Sequence, residues 1–301
     1  MLRKMILFGC LLLSSCLEKR SSSGDSLIFS TGKRLAELTD SKLGEVSGLA
    51  ASAVNPGLLW THNDGGNPAE VYLINQNLKI RLSCTLKGVK NRDWEDIAVG
   101  PGPDENKHYL YVADIGDNNA RYPVKFIYRF EEPVWKESKA QITITSFDTI
   151  AFRLEDEEKD TEAIMVDPKT KNIYVVSKRE KPVTLYEIKY PFSVRDTVTA
   201  VKVDSLPFTQ IVSACISSDG KSILMKNYSN IFYWDTEGKP IETVLKKEPF
   251  VLKYIEEPQG EAITFSRDGS GFYTLSEKLM GEKTFLYYYK REERKIFSKR
   301  P

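Results

Sequence analysis

From residue 27 onward, short runs of β-branched, aromatic and aliphatic residues alternate with clusters of Gly, Pro, Asn and Asp. Typical runs are Gly57-Leu58-Leu59-Trp60-Thr61-His62, Tyr109-Leu110-Tyr111-Val112-Ala113, Asn172-Ile173-Tyr174-Val175-Val176 and Gly271-Phe272-Tyr273-Thr274-Leu275. Successive side chains of a strand point to opposite faces, so a period of two bounded by turn residues predicts strands. No helical period persists through three turns, and the pattern predicts an all-β fold.

The strands recur in a fixed order. Repeats begin at Ser47-Gly48-Leu49, Glu95-Asp96-Ile97, Glu162-Ala163-Ile164, Ser213-Ala214-Cys215 and Glu261-Ala262-Ile263, at intervals of 48, 67, 51 and 48 residues. Each opening strand leads to a turn such as Asp167-Pro168-Lys169 or Arg267-Asp268-Gly269, then to a second strand, a polar knot and a third strand. Repeats of about 40–50 residues with several strands are the signature of propeller blades. The pattern predicts a β-propeller of five blades spanning 27–290, with a sixth, degenerate blade and a two-sheet sandwich as the competing readings. The long second interval predicts an extended hairpin over Gln141–Ile150, and residues 27–38 are expected to supply the outer strand that closes the ring.

In a propeller the first strand of each blade lines the central channel. Taking the position two before the apolar residue of each opening strand places Ser47, Glu95, Glu162, Ser213 and Glu261 on the axis. Three carboxylates converging in a narrow channel repel one another and lose hydration, so they need protons or a cation. Calcium suits them, because it takes about 6–8 oxygen ligands, whereas zinc prefers the His and Cys that these positions lack. The competing reading is glutamates bonded to backbone amides or water.

The order Ser, Glu, Glu, Ser, Glu resembles the central calcium site of the calcium-activated nucleotidases, the soluble apyrases, which are five-bladed propellers. Trp60-Thr61-His62-Asn63-Asp64-Gly65 and Leu110-Tyr111-Val112-Ala113-Asp114-Ile115-Gly116 are similar to that family's acidic motifs, and Ser177-Lys178-Arg179 and Lys226 stand where it has basic residues. The resemblance implies a calcium-dependent phosphohydrolase, with Asp64 or Asp114 as general base and Lys178, Arg179 and Lys226 stabilising charge. The pattern departs from the family at Gly65-Gly66, where an Arg is expected. Asp93-Trp94-Glu95-Asp96 and Asp114–Arg121 are more similar to a group of bacterial propeller proteins that carries no implication of the nucleotidase reaction.

The first residues change the address. Arg3 and Lys4 precede the apolar run Met5–Leu13, and Leu13-Ser14-Ser15-Cys16 follows. This resembles a lipoprotein signal, implying a signal peptide over 1–15 and a lipid chain on Cys16. Residues 16–26, with Ser21-Ser22-Ser23-Gly24, read as a polar tether. The expected location is the bacterial cell envelope, facing periplasm or exterior. Leu17 after the lipobox, in place of an Asp, points to the outer membrane. Cys84 and Cys215 then remain, either as a disulfide or as two buried thiols.

Composition adds little: 301 residues, 41% hydrophobic, with a formal net charge of +1, which excludes a nucleic-acid groove as the dominant feature. Residues 291–301 form a charged tail. Two functions fit: a lipid-anchored, calcium-centred binding or scaffold propeller with a small-molecule, glycan or protein partner at its face, and a calcium-dependent phosphohydrolase.

Overall fold

The computed structural model describes residues 28–292. The signal segment, the lipobox Cys16, the tether and the tail beyond 292 lie outside the described residues.

Strand β1 (Lys33–Glu37) precedes the first complete blade, in which β2 (Val46–Ala51), β3 (Leu59–Asn63), β4 (Glu70–Ile74) and β5 (Ile80–Leu86) pair antiparallel from the axis outward. The second blade contains β6 (Trp94–Pro101), β7 (His108–Asp114) and β8 (Lys125–Glu131). The chain then departs from the expected hairpin. β9 (Gln141–Ile144) crosses to the first blade and adds parallel to β5, and β10 (Asp148–Leu154) returns to pair antiparallel with β8. The physical reason is the bare edge of β5: β9 satisfies its backbone, and Ile142 and Ile144 pack onto the apolar cluster beneath.

The third blade is β11 (Thr161–Val166), β12 (Ile173–Ser177), β13 (Val183–Ile188) and β14 (Val198–Leu206). Its outer strand β14 also runs parallel to β10, stitching the rims of blades two and three. The fourth is β15 (Ile211–Ile216), β16 (Ser222–Asn227), β17 (Ile231–Asp235) and, after the one-turn helix α1 (Ile241–Val244), β18 (Phe250–Leu252). The fifth takes β19 (Ala262–Phe265), β20 (Gly271–Leu275) and β21 (Phe285–Lys290) from the end of the chain and β1 from its beginning. The segment expected to close the ring therefore does so.

Five apolar clusters fill the spaces between neighbouring blades. Trp60 and Trp94 are fully buried between blades one and two, and Tyr111, Phe152 and Tyr186 between blades two and three. A blade buries both faces this way, which is why its inner three strands are nearly continuous apolar runs. Cys84 on β5 and Cys215 on β15 are free thiols in different blades, the first buried and the second half-buried, so the disulfide reading fails.

The register of the inner strands changes one expected site residue. Opposite the end of each second strand, β2, β6, β11 and β15 carry a bulge, which leaves Ser47, Glu95, Glu162 and Val212 without a cross-strand partner. Glu261, just before Ala262 pairs with Leu275, holds the same place in the fifth blade. The equivalent of the three glutamates in blade four is therefore Val212. Ser213, expected on the same ring, sits one residue deeper, where it pairs with Lys226 just as Gly48 pairs with His62 and Asp96 with Ala113. A bulge adds one residue to a strand and shifts its pairing, so spacing measured from apolar residues alone misplaces it.

Candidate functional site

Two residue layers build the site. The deeper layer is Gly48, Asp96, Ala163, Ser213 and Ala262, four small residues around one aspartate. Asp96 fills the space they leave. Its carboxylate accepts the N–H groups of Ile97 and Ile164 at 3.0 Å each and of Ala214 at 3.5 Å, and the Ser213 hydroxyl at 3.2 Å. One side chain thus ties the inner strands of blades two, three and four. Burial drives its pKa well up, and the donated N–H groups pull against that shift. Below this layer the channel is a cavity of only ≈ 50 Å³, lined by Leu49, Ile97, Met165, Cys215 and Phe265. The carboxylates gather at the other end of the axis, beside the ends of the second strands, and this end is the cup.

The upper layer is Ser47, Glu95, Glu162, Val212 and Glu261, with every member buried. Glu95 has its pKa raised by burial first, then by Glu162, Asp64 and Asp93 around it. Glu162 is also raised by burial, partly offset by Lys178, whose Nζ lies 2.8 Å from Glu162 Oε1. Glu261 accepts the Tyr228 hydroxyl at 2.7 Å. Glu277 stands beside Glu261 and Asp64 and is raised by burial and by those two neighbours.

Between blades one and two, Asp64, Asp93 and Glu95 each present one carboxylate oxygen, all within 4.8 Å of one another. Asp64 follows β3, while Asp93 and Glu95 flank Trp94 at the start of β6. Two glycines make room for them. A Cβ on Gly116 would lie 2.1 Å from Glu95 Oε1 and 2.5 Å from Asp93 Cγ, and one on Gly65 would lie 2.5 Å from Asp93 Oδ1. The turns after β3 and β7 can thus close over the carboxylates only because they lack side chains there. Asp64 is raised to about 6 by burial, against the Gly65 N–H and with Glu261, Asp93 and Glu45 adding repulsion.

The fit to a hard cation follows from the donor set. Every donor is oxygen, and neither Asp64, Asp93 nor Glu95 has an ion-pair partner among the described residues. Ser47 Oγ and Glu277 Oε1 are buried and have no hydrogen-bond partner. A cation with several oxygen ligands would answer both the uncompensated charge and the orphaned oxygens.

The other expected site residues are distributed differently. Asp114 is buried, accepts the Asp93 N–H at 3.0 Å and lies 3.6 Å from Arg92 Nε, so it positions the cluster from behind. Lys178 reaches the cup but is bound to Glu162. Arg179 pairs with Asp160 at 2.6 Å. Lys226, expected to stabilise charge on a ligand, is fully buried between the Gly260 carbonyl, the Tyr254 hydroxyl at 3.0 Å and Glu257 at 3.3 Å. It cannot touch a ligand in the cup, because this closed network uses its ammonium.

Asp93, Asp96 and Tyr228 are site residues that the repeat did not single out, whereas Glu277 belongs to the polar knot after the second strand of its repeat. Asp93 was within reach of the sequence, because strand alternation puts it on the side of Glu95. Asp96 was not, since only the bulge at Glu95 turns two consecutive residues toward the axis.

No family model matches the chain, and no curated protein matches it. Among solved structures, it is similar to a gluconolactonase from Xanthomonas campestris described as important in glucose secondary metabolic pathways, with 12% identity over 82% of this chain and 72% of that one, at a TM-score of 0.44. The strand pairing by itself establishes a β-propeller, with an oxygen-only carboxylate cluster beside one end of its axis.

Proposed function

We propose that this protein is a calcium-binding propeller of the bacterial cell envelope, held to a membrane through a lipid on Cys16, which binds a polar ligand at its cup. The observation that carries the reading is the trio Asp64, Asp93 and Glu95, three carboxylates within 4.8 Å without a cationic partner among the described residues. Calcium is favoured over magnesium because a wide ring of carboxylates and a hydroxyl fits 6–8 loosely arranged oxygens better than a tight octahedron. A bound ion would leave positions for ligand oxygens at the cup.

A calcium-dependent hydrolase is the second reading. It is supported by the oxygen-only trio of Asp64, Asp93 and Glu95, where a bound calcium could orient and acidify an attacking water. A phosphate ester is the less favoured substrate. Lys178, Arg179 and Lys226 are each engaged by a carboxylate, so little free positive charge faces a phosphoryl group.

Calorimetric titration of the chelated protein with calcium tests the main reading. The expected result is one saturable site, a Tm that rises with calcium by mass action, and loss of both in Glu95→Gln. A wild-type protein with unchanged Tm and no heat of binding overturns it. Calcium-dependent turnover of phosphate esters, lost in Asp64→Ala, would replace the binding role by the hydrolytic one.

A further inference from the structure

The face opposite the cup carries the turns that join first to second strands. At four of the five blade junctions each of these turns is tied to the neighbouring blade. Asn55 Nδ2 donates to the Pro133 carbonyl at 3.0 Å between blades one and two, and Lys171 meets Glu105 at 3.5 Å between two and three. Gly220 packs so closely on Lys169 that an added Cβ would lie 2.9 Å from its Cε, and the Ser218 hydroxyl donates to the Arg267 carbonyl at 2.9 Å. At the fifth junction, where the ring closes between blades five and one, the turns stand apart. They flank a cleft of ≈ 550 Å³, within the usual range for small-molecule sites.

The lining of that cleft has a definite chemistry. Its floor is formed by Tyr273 and Tyr288, whose rings are tilted by 42° at 4.8 Å between centroids. Their hydroxyls are already oriented, Tyr273 accepting from Gln76 at 3.0 Å and Tyr288 sharing a 2.8 Å bond with the Ser270 hydroxyl. On one wall lies Arg267, whose guanidinium has neither an ion pair nor a hydrogen bond among the described residues. The side chain is exposed to solvent, and the acid whose charge reaches it, Glu132, is itself occupied by Trp60 Nε1 and the Ala53 N–H. A guanidinium exposed beside a cleft and free of any carboxylate is a ready partner for a planar oxyanion.

We propose that this cleft is a second binding site, and that it takes an acidic sugar: a ring with hydroxyl groups and one carboxylate. The carboxylate pairs with Arg267, the ring lies on the tyrosines, and Gln76 and Ser270 meet the hydroxyls. Tyrosines suit such a ligand because each offers an apolar face and a polar edge at small entropic cost. The site is on the opposite face from the carboxylate cup and does not depend on calcium there.

The test is a titration of chelated, isotope-labelled protein followed by NMR, using glucuronate, with glucose and acetate as single-feature controls. The expected result is saturable shifts at Gly57, Ser270 and Tyr288 with glucuronate, and binding at least about tenfold weaker for either control. Arg267→Gln should abolish the response, Arg267→Lys should keep part of it, and Lys169→Gln, on the same face two blades away, should leave it intact. Shifts of equal size with acetate, shifts confined to other regions, no shifts at all, or an unaltered response in Arg267→Gln would each overturn the assignment. Because calcium is chelated throughout, these outcomes are separate from the fate of the calcium reading.

Discussion

The Asp114 carboxylate accepts the backbone N–H of Asp93 at 3.0 Å, and is held in turn by the Tyr128 hydroxyl at 3.4 Å and by Arg92. This arrangement fixes the segment that carries two carboxylates of the cluster, although Asp114 lends no oxygen to it. Outer partners of this sort orient ligands, and their loss typically costs 10–100-fold in affinity. Asp114→Asn is expected to weaken calcium binding by about tenfold, whereas Asp93→Asn, which removes a donor, should weaken it by a further order of magnitude. Calorimetry on the two variants distinguishes them. Equal losses would mean that Asp93 is no ligand.

The register of the fourth blade makes a separate prediction. Ser213 bonds Asp96 at 3.2 Å and stands below the ring of glutamates. Ser213→Ala should cost about 1–2 kcal/mol of stability through the lost buried hydrogen bond and leave calcium affinity unchanged. A large fall in affinity with little change in the denaturation midpoint would restore Ser213 to the ligand ring.

Lys226 should behave as a structural cation. Its ammonium and Glu257 are both fully enclosed, so Lys226→Met leaves a buried carboxylate without its partner. The expected loss is about 3–5 kcal/mol in urea denaturation, and the double variant Lys226→Met/Glu257→Gln should recover part of it. Ligand or substrate binding by the folded fraction should be untouched.

Acid should weaken the fold through His62. This imidazole is completely buried beside Trp94, and burial, opposed by its bond to the Asn63 carbonyl, lowers its pKa from 6.5 to about 4. Below about pH 6.5 the unfolded state binds the proton and the folded state does not. The stability from the neutral ring is therefore complete above that pH and is lost progressively as pH falls toward 4, reaching about 3 kcal/mol. Denaturation midpoints of wild type and His62→Gln measured between pH 7.5 and 4.5 check this. The wild-type midpoint should fall more steeply, and parallel curves would show that another group carries the acid response.

Much of this molecule was legible in one dimension. Periodicity of two, turn residues at regular spacing and five opening strands define an all-β propeller, because a strand buried on both sides must be apolar along its length and a repeat must stack to bury it. The placement of Glu95, Glu162 and Glu261 at equivalent steps follows from the same repeat. Glycines 65 and 116 are visible as turn residues in the sequence, but not as the space into which Asp93 and Glu95 fit.

Tertiary structure decided the rest. A bulge is a local choice between two pairings that only the neighbouring strand arbitrates, so it exchanged Ser213 for Val212 and turned Asp96 inward. Ion pairing in the folded chain determined that none of three cations is free: Lys178, Arg179 and Lys226 look alike in sequence, yet each meets a different carboxylate. The crossing of β9 to another blade likewise answers an open edge distant in the chain. Strand pattern is encoded locally by side-chain alternation, whereas the site depends on charge and hydrogen-bond balances among residues from all five blades.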